Sequence, residues 1–184
     1  MKLIYATSNK LKLQLAQQSL DSFGITLVDC AWQVPEIQSM SQEAVAIDKA
    51  RKLYKLVHKP LVAMDSGLFV ETLDGFPGVY TKDIMQQIGI DGLLQLTAAH
   101  KKNKAYTQRT IAYTDGKIVK TFSSKCEGEI IPDKRGSNGR DYDLIFYLPK
   151  KKKTLAELSD VDKSKLTGEA WQQFGKWFTK YQSK

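Results

Sequence analysis

The chain has 184 residues and a formal net charge of +8; 42% of its residues are hydrophobic and 26% are charged. This composition suits one folded domain with an apolar core, and it excludes a disordered chain. No apolar run approaches the roughly 18 residues that span a bilayer, and the N-terminus lacks the apolar stretch of a signal peptide, so we expect a cytoplasmic protein with no membrane partner.

The first half of the chain predicts strands and helices in alternation. Lys2 to Thr7 is typical of a short strand, and apolar residues at helical spacing follow it. A second strand is expected at Ile25 to Asp29. Ser41 is a suitable N-cap for the next helix, and a buried strand is expected from Leu61 to an acidic turn that begins at Asp65.

The second half predicts mostly antiparallel strands. Two short helical stretches lead up to His100. Four strand candidates follow, at Ala105–Thr114, Lys117–Lys125, Gly128–Pro132 and Leu144–Leu148. Asp115-Gly116 joins the first two, and an Asp-Gly pair is the strongest short hairpin signal. The C-terminal residues return to helix, with a stripe of aromatic residues that we expect in the core or at a dimer contact.

This order of elements predicts an α/β fold class, with a mixed β-sheet and flanking helices. We expect one domain over residues 1–184, divided into two lobes with a cleft between them. In α/β sheets, ligands usually bind beyond the carboxyl ends of the strands. Polar residues that follow the early strands are therefore the first candidates for function.

The first candidate site lies where the first strand passes into a helix, at Ala6–Lys12. A helix N-terminus presents unpaired N–H groups and a partial positive charge, so anions bind there. Thr7, Ser8 and Asn9 can donate hydrogen bonds to phosphate oxygens, and Lys12 adds a positive charge one turn further. Simple N-capping by Ser8 or Asn9 explains the same residues, and the chain has no Walker motif.

The second candidate is Asp65-Ser66-Gly67, where we expect a carboxylate at the end of a buried strand. Asp is an oxygen ligand suited to Mg²⁺ and can act as a base for water, although an isolated Asp-Ser-Gly more often marks a simple turn. Glu36 would supply a second oxygen ligand, and Lys49 and Lys82 are cations within reach of a polyphosphate. Taken singly, each of these three also fits an exposed surface residue.

Together these motifs make the chain resemble the inosine triphosphate pyrophosphatase family, whose members hydrolyse non-standard purine nucleoside triphosphates to the monophosphate and pyrophosphate. The family's opening motif A-T-x-N-x-x-K is matched at Ala6–Lys12, and its metal-binding glutamate at Glu36. Its D-[ST]-G-L motif is matched at Asp65–Leu68, and its G-x-P-G-x-Y loop at Gly75–Tyr80. Further matches extend the resemblance over nearly the whole chain, at Lys49-Ala50, Lys82, Gly92–Leu94 and Gly128–Ile130.

The resemblance implies roles for the site residues. Glu36 and Asp65 would hold Mg²⁺, and Asp65 would also activate the attacking water. Substrate contacts are implied for Thr7, Ser8, Asn9, Lys12, Lys49, Ser66 and Lys82. The resemblance also implies a two-lobed α/β fold with a central cleft, and a homodimer.

The first departure from the family falls on the side of the site that would bind the base. Where the family has an aromatic-Gly-aromatic-Asp-Pro segment, this chain has Arg140, Asp141, Tyr142, Asp143 and Leu144. Arg140 replaces the aromatic residue that stacks on the purine, and a guanidinium plane can also stack on a base, so stacking is weakened or altered. We still expect Arg140, Asp141, Tyr142 and Asp143 to contact the substrate.

The second departure lies near the C-terminus. The family has Ser-His-Arg, whose cations recognise the 6-oxo group of inosine or xanthosine, and this chain has Thr167-Gly168-Glu169. An ionised carboxylate accepts hydrogen bonds and cannot donate one to a carbonyl. Lys163 still matches the family lysine before this motif. We expect Lys163, Thr167 and Glu169 to contact a base whose identity has shifted from inosine or xanthosine.

Three functions remain open, in decreasing order of support. The first is a Mg²⁺-dependent nucleoside triphosphate pyrophosphatase with a shifted base preference. The second is a degenerate relative that binds nucleotides without turnover, which need not have kept Asp65, Glu36, Lys12 and Lys49. The third is bulk nucleic-acid binding driven by the +8 charge. The run Lys150–Lys153 has no interleaved aromatic residues to stack bases, so no specific nucleic-acid binding is expected.

Overall fold

The computed structural model describes residues 1–30, 32–139 and 141–182. Its strands in these ranges are β1 (Lys2–Tyr5), β2 (Thr26–Asp29), β3 (Leu61–Val70), β4 (Pro77–Gly78), β5 (Lys104–Thr114), β6 (Val119–Ile130), β7 (Phe146–Leu148) and β8 (Lys153–Thr154). Its α-helices are α1 (Lys10–Leu20), α2 (Gln42–Val57), α3 (Thr81–Thr97), α4 (Asp160–Thr167) and α5 (Glu169–Gln182). The described strands form one mixed sheet in the order β2-β1-β3-β5-β6-β7-β8, with β4 beside β3. The expected α/β class, with a mixed sheet and flanking helices, is confirmed.

The chain divides into two compact units, each built from separate stretches of sequence. Unit 1 comprises residues 1–65, 109–124 and 164–184. In unit 1, β1 lies between β2 and β3 and is parallel to both, with Leu3 opposite Leu27 and Ile4 opposite Leu61. Parallel neighbours need a crossover connection between them. The segments that contain α1 and α2 supply these connections. The expected single domain with a cleft stays a prediction.

Helices cover both faces of the sheet in unit 1. Along β3, Val62 packs in an apolar cluster with residues of α1 and α5, whereas Ala63 packs in a cluster with residues of α2. Neighbouring side chains of a strand point to opposite faces, so α2 lies on one face and α1 with α5 on the other. The continuous apolar sequence of β3 before Asp65 follows from this burial on both faces.

The aromatic stripe of α5 lies in the core of unit 1. Trp171, Phe174 and Phe178 are all buried. The Trp171 ring meets Tyr5 of β1 edge-on, with ring centroids 5.0 Å apart, and Phe174 and Phe178 pack on Tyr113 of β5. The expectation of a core position is thereby confirmed. None of the described helices, α5 included, combines the length and apolar character that a membrane crossing requires.

The predicted hairpin is confirmed within unit 1. Asp115 and Gly116 lie between β5 and β6, and Gly116 has a φ of 88°. The N–H groups of Lys117 and Ile118 donate to Asp115 Oδ1 at 2.9 and 3.0 Å. A Cβ on Gly116 would overlap the ring of Tyr54 in α2. Glycine is therefore needed here both for its backbone conformation and for the close approach of Tyr54.

Unit 2 comprises residues 66–108 and 125–163. In unit 2, β7 pairs antiparallel with both β6 and β8. The segment Gly128–Pro132 is expected as a separate strand, but its first three residues are the end of β6, which ends at Ile130. The two helical stretches expected before His100 are joined as α3, which is interrupted at Gly89 by a φ of 62° and a ψ of −167°.

The acidic turn expected at Asp65 is wrong, because β3 continues through this residue to Val70. Beyond Asp65, Leu68 and Phe69 pair antiparallel with Gly78 and Pro77 of β4. A Cβ on Gly67 would lie closer than 3.0 Å to the carbonyl oxygen of Gly78. Ser and Gly favour turns in sequence, but here the glycine allows the backbone of β4 to approach the strand.

Candidate active site

The N-terminus of α1, in unit 1, has the features of an anion-binding helix end. Asn9 is the N-cap, and its Oδ1 accepts a hydrogen bond from the N–H of Lys12 at 3.0 Å. Thr7 Oγ1 accepts from the N–H of Asn9 at 3.1 Å, and Ser8 between them is exposed. The capping interpretation is thus correct for Asn9. It leaves the Asn9 amide as a donor, whereas the Thr7 hydroxyl also hydrogen-bonds the side chain of Tyr5. The first turn of the helix contains no acidic residue.

Glu36 is held in the loop before α2 by two lysines of that helix. Its Oε1 forms an ion pair with Lys49 Nζ at 2.6 Å. The next lysine on the helix, Lys52, donates to the carbonyl oxygen of Pro35 at 2.9 Å. The helix therefore holds the loop at Pro35 and Glu36, and it brings Lys49 and Glu36 together.

Asp65 is buried in β3, and one of its oxygens lacks a partner. Among the described residues, Asp65 Oδ2 forms no hydrogen bond, while the side chain of Gln42 at the start of α2 hydrogen-bonds the carboxyl group. Leaving a buried polar atom unpaired costs roughly 1–3 kcal/mol. Such an atom in a native structure requires an explanation, and for a carboxylate oxygen a bound cation or a water molecule is a suitable partner.

The electrostatic surroundings of Asp65 favour its protonated form. Its pKa is raised from 3.8 to about 6, first by burial and then by the negative charge of Glu36. Three contributions lower the pKa of Asp65: the positive charge of Lys49, the hydrogen bond from Gln42 and the positive charge of Lys12. Two neighbouring carboxylates that repel each other in this way are stabilised by a cation placed between them.

The Lys12 side chain reaches the same group of charges from α1. Lys12 is an exposed residue, but its ammonium group interacts with other charged groups. The pKa of Lys12 is lowered, first by burial and then by the positive charges of Lys49 and Arg109, while Asp65 and Glu36 raise it. Repulsion among neighbouring cations is relieved when an anion binds between them.

The donor set fits a divalent cation that takes most of its ligands from the substrate. In phosphate sites, Mg²⁺ is usually held by one or two carboxylates, with phosphate oxygens and waters completing the shell. Glu36 and Asp65 offer two carboxylates, one of which has an unpaired oxygen. In the part of the chain that the structure describes, no group of three or more His, Cys, Asp or Glu side chains is placed to hold a metal ion. A site with two protein ligands is what these residues can offer.

Ionisation of Asp65 should lower the stability of the metal-free protein. Because its folded pKa of about 6 lies above its ordinary value of 3.8, the folded state holds the proton more tightly than the unfolded state. The stabilisation by the bound proton is fully present below the ordinary pKa of 3.8, and it is lost as the pH rises through the folded pKa of about 6. Relative to Asp65→Asn, the unfolding free energy of the wild type should fall by about 2–3 kcal/mol between pH 4 and 7. Denaturant titrations with a chelator measure this difference, and a constant difference would contradict it.

Two of the residues expected to bind the base are brought together in unit 2. Lys163 is buried, donates a hydrogen bond to the carbonyl oxygen of Asn138, and its Nζ lies 3.5 Å from Asp143 Oδ2. Asn138 donates in turn to the carbonyl oxygen of Leu158 at 2.7 Å. Lys163 therefore contacts both Asn138 and Asp143, and its contact with a substrate stays a prediction.

The remaining residues predicted in unit 2 differ in exposure. Ser66 and Tyr142 are half-buried, whereas Lys82 and Asp141 are exposed. Asp141 has a φ of 54°, a left-handed conformation that Asp adopts more readily than most residues. Arg140 lies outside the described residues. Substrate contacts of this group stay predictions.

The turn between α4 and α5, in unit 1, leaves no room for a side chain at position 168. A Cβ on Gly168 would lie closer than 3.0 Å to the carbonyl oxygen of Ser164 in α4 and to Ser19 Oγ in α1. Both serines are buried. A histidine, as in the family motif, would require α1 or α4 to move.

Thr167 and Glu169 lie on either side of this glycine. Thr167 is buried, and its carbonyl oxygen accepts a hydrogen bond from Arg109 Nη1 at 3.0 Å. Glu169 is exposed, and Gln173 donates to its Oε1 at 3.3 Å one turn along α5. A carboxylate in the first turn also interacts favourably with the helix dipole. Glu169 thus stabilises the start of α5, and its contact with a base stays a prediction.

Three residues that the sequence motifs do not single out complete this group in unit 1: Gln42, Arg109 and Thr110. Gln42 is buried, and besides its bond to Asp65 it accepts from Thr110 Oγ1 at 3.2 Å. A sequence signal exists for Gln42, because it follows the confirmed N-cap Ser41 and begins the helix face that is otherwise buried and apolar. For Arg109 and Thr110, alternation along β5 indicates only that they face opposite sides of the sheet.

Comparison with known sequences places this geometry in context. The model of the Ham1 family matches residues 3–177. A dITP/XTP pyrophosphatase of Pyrococcus horikoshii is 38% identical over 180 residues, which are 96% of this chain and 96% of the relative. A protein of the same name from Thermococcus kodakarensis is 36% identical over 179 residues, covering 96% of this chain and 97% of the relative.

Solved structures resemble the fold over the same span. The structure of a HAM1 protein from Coxiella burnetii has a TM-score of 0.84 and 28% sequence identity, and the match covers 98% of this chain and 99% of that protein. The Ham1 protein of Staphylococcus aureus gives a TM-score of 0.81 with 27% identity, over 97% of this chain and 98% of that protein.

Proposed function

Because this chain belongs to the Ham1 family, we propose that it hydrolyses a non-standard purine nucleoside triphosphate to the nucleoside monophosphate and pyrophosphate. The family expected from the motifs is confirmed. So is the class of enzyme, a hydrolase that acts on the phosphoanhydride bond of nucleoside triphosphates. The choice of base, the metal and the roles of individual residues belong to the proposal.

One observation carries the proposal: a buried carboxylate with an unpaired oxygen lies among cations. Asp65 Oδ2 has no hydrogen-bond partner among the described residues, and the charges that act on Asp65 come from Glu36, Lys49 and Lys12. A structural aspartate would be expected to satisfy both oxygens within the protein. An aspartate that binds a cation, or that accepts a proton from water, keeps one oxygen available.

In the proposed reaction, a water molecule attacks the α-phosphorus. A bond forms between the water oxygen and phosphorus, and the bond from phosphorus to the oxygen that bridges the α- and β-phosphates breaks. Pyrophosphate leaves with the electron pair of that bond. Asp65 has a pKa of about 6 and is therefore mostly ionised at neutral pH, so its carboxylate can accept the proton of the water.

The cations and the helix end hold the phosphate chain during this step. Lys12 and Lys49 neutralise phosphate oxygens, and the N–H groups at the start of α1 donate hydrogen bonds to them. Asn9 fixes that helix end by capping it. These groups stabilise the negative charge that develops on the leaving pyrophosphate.

Glu36 and Asp65 would hold Mg²⁺ in this site. The ion would supply positive charge to the phosphates and lower the pKa of bound water. Since Glu36 pairs with Lys49 through Oε1, its second oxygen is the one suited to the ion.

We propose further that the preference for 6-oxo purines is weaker than in family members with Ser-His-Arg. Thr167-Gly168-Glu169 carries no cationic side chain, and position 168 has no room for one. Loss of one hydrogen bond to a base changes binding by roughly 1–3 kcal/mol, or about tenfold to a hundredfold. The relatives described above are named for dITP and XTP, so the inosine and xanthosine nucleotides are the reference.

A substrate screen tests both parts of this proposal. Pyrophosphate release would be measured with Mg²⁺ and the triphosphates of inosine, xanthosine, guanosine, adenosine, cytidine and uridine. We expect turnover of at least one purine nucleotide, with kcat/KM for ITP and XTP within about tenfold of that for ATP, whose purine has no 6-oxo group. A preference for ITP and XTP over ATP of more than about a thousandfold would contradict the base shift. Tight binding of nucleotides with no pyrophosphate release would favour the non-catalytic alternative.

A homodimer, a cytoplasmic location and the absence of specific nucleic-acid binding also belong to the proposal. The dimer rests on the family resemblance, and the other two rest on composition. Sedimentation equilibrium tests the dimer, and a gel-shift assay at physiological salt tests nucleic-acid binding.

A further inference from the structure

Arg109 is a half-buried cation in unit 1 for which the sequence motifs assign no role. It lies on β5, and its Nη1 donates to the carbonyl oxygen of Thr167 at 3.0 Å. A guanidinium group has five N–H donors. Within the described ranges, no carboxylate oxygen lies within 4.0 Å of it to form an ion pair. Its charge and most of its donors are therefore not used by the part of the chain that is described.

The position of Arg109 on the sheet places it beside the start of α1. Ile111 and Tyr113, two and four residues further along β5, pack in the cluster that contains residues of α1 and α5. Arg109 has the same parity along the strand, so its side chain lies on the same face. The positive charge of Arg109 lowers the pKa of Lys12 in α1 and the pKa of Tyr5 in β1. It therefore lies on the Lys12 side of the phosphate site.

The charges of this site do not balance. Three cations interact here: Lys12, Lys49 and Arg109. Two carboxylates oppose them, Glu36 and Asp65, which raise the pKa of Lys12. Glu36 is already paired with Lys49 at 2.6 Å. A partly buried cation without a counter-ion is costly unless an anion binds to it. An excess of positive charge beside the N-terminus of α1 is what a chain of phosphates requires.

We propose that Arg109 is a substrate-binding residue that contacts the phosphate chain next to Lys12, while another part of its guanidinium group holds the carbonyl oxygen of Thr167. The proposal rests on the proposed function for the identity of the substrate. One arginine then links the phosphates to the turn Thr167–Glu169. Lysine would be a poor replacement, because it lacks the planar fork that can serve both acceptors at once.

Calorimetric binding of inorganic tripolyphosphate tests the proposal without any need for turnover. Arg109→Gln should weaken this binding by about tenfold to a hundredfold, as expected for the loss of a charged hydrogen bond. Arg51→Gln, at an exposed position of α2, is the matched control and should bind like the wild type. Wild-type affinity for tripolyphosphate in Arg109→Gln would overturn the proposal. This holds even if the variant is less thermally stable, because Arg109 would then serve only to anchor Thr167.

Chemical modification of the wild type covers the case in which Arg109→Gln does not fold. Phenylglyoxal labels accessible arginines, and tripolyphosphate should protect Arg109 but not Arg51 when the labelled peptides are quantified by mass spectrometry. Equal labelling of Arg109 with and without tripolyphosphate would overturn the proposal, as would a wild type that does not bind tripolyphosphate. Protection of Arg109 in a protein that releases no pyrophosphate from any nucleotide would support the contact and contradict the proposed function alone.

Discussion

Asp65→Asn should lower kcat for the preferred nucleotide by roughly 10²–10⁴-fold, the range that a general base contributes. Asparagine has nearly the shape of aspartate, so the packing of β3 is preserved. Its amide cannot accept a proton from water, and as a neutral group it is a weaker ligand for Mg²⁺. Steady-state release of pyrophosphate, measured at saturating Mg²⁺ and nucleotide, gives the change in kcat directly.

The control for this variant is Asp91→Asn, which changes an exposed aspartate on α3 that is paired with Lys134. It should keep wild-type kcat, because Asp91 is not one of the residues proposed for the site. It should also fold like the wild type, because a single exposed ion pair contributes little to stability. Asp65→Asn should also unfold at no lower denaturant concentration than the wild type at neutral pH, since it removes the cost of ionising a buried carboxyl group. If Asp65→Asn kept more than about a tenth of wild-type kcat, Asp65 would not be the base.

Gly168→Ala should lower the unfolding free energy by about 1–3 kcal/mol, as overpacking of a tight site does. The new methyl group would collide with the carbonyl oxygen of Ser164 and with Ser19 Oγ. Neither α4 nor α1 can move without disturbing buried residues. A shift of the turn would also move Thr167, which accepts the hydrogen bond of Arg109, so KM for the nucleotide should rise as well. Urea titrations and initial rates measure the two effects.

A double-mutant cycle with Ser19→Ala separates this collision from other effects of the alanine. Ser19→Ala removes the Oγ atom, which would collide with the new methyl group, and keeps Ser19 Cβ, which would lie 3.2 Å from it. In that background, Gly168→Ala should be less destabilising, with a coupling free energy of about 0.5 kcal/mol or more. If the cost of Gly168→Ala were the same in both backgrounds, close packing against Ser19 would not be the reason for glycine at this position.

The helix caps beside the proposed phosphate site could be predicted from the sequence because they follow local rules. Asn9 and Ser41 cap the helices that follow them, and such caps have a recognisable residue type and spacing. Lys49 lies on α2, and its ion pair holds Glu36 of the preceding loop against this helix. These contacts depend on short segments, so motifs carry most of the information.

Other features depend on contacts between distant segments, which a single sequence does not show. The turn expected at Asp65 is instead part of β3, because pairing with β4 outweighs the local preference of Ser66 and Gly67 for a turn. Arg109 donates a hydrogen bond to the carbonyl oxygen of Thr167, a contact between β5 and the end of α4. In the sequence, Gly168 stands where the family motif has a histidine. The structure shows that a side chain at this position would meet Ser19 and Ser164.

The packing of α5 against β1 has a consequence for the synthesis of the protein on the ribosome. Most of the proposed phosphate site is translated early, from Thr7 to Asp65, yet Tyr5 and Tyr113 are covered by aromatic residues of α5. Contacts between such distant segments form late, because closing a long loop costs entropy. A nascent chain should therefore carry the side chains of the proposed site before it can hold them in place, and we expect the site to form only after α5 has been made.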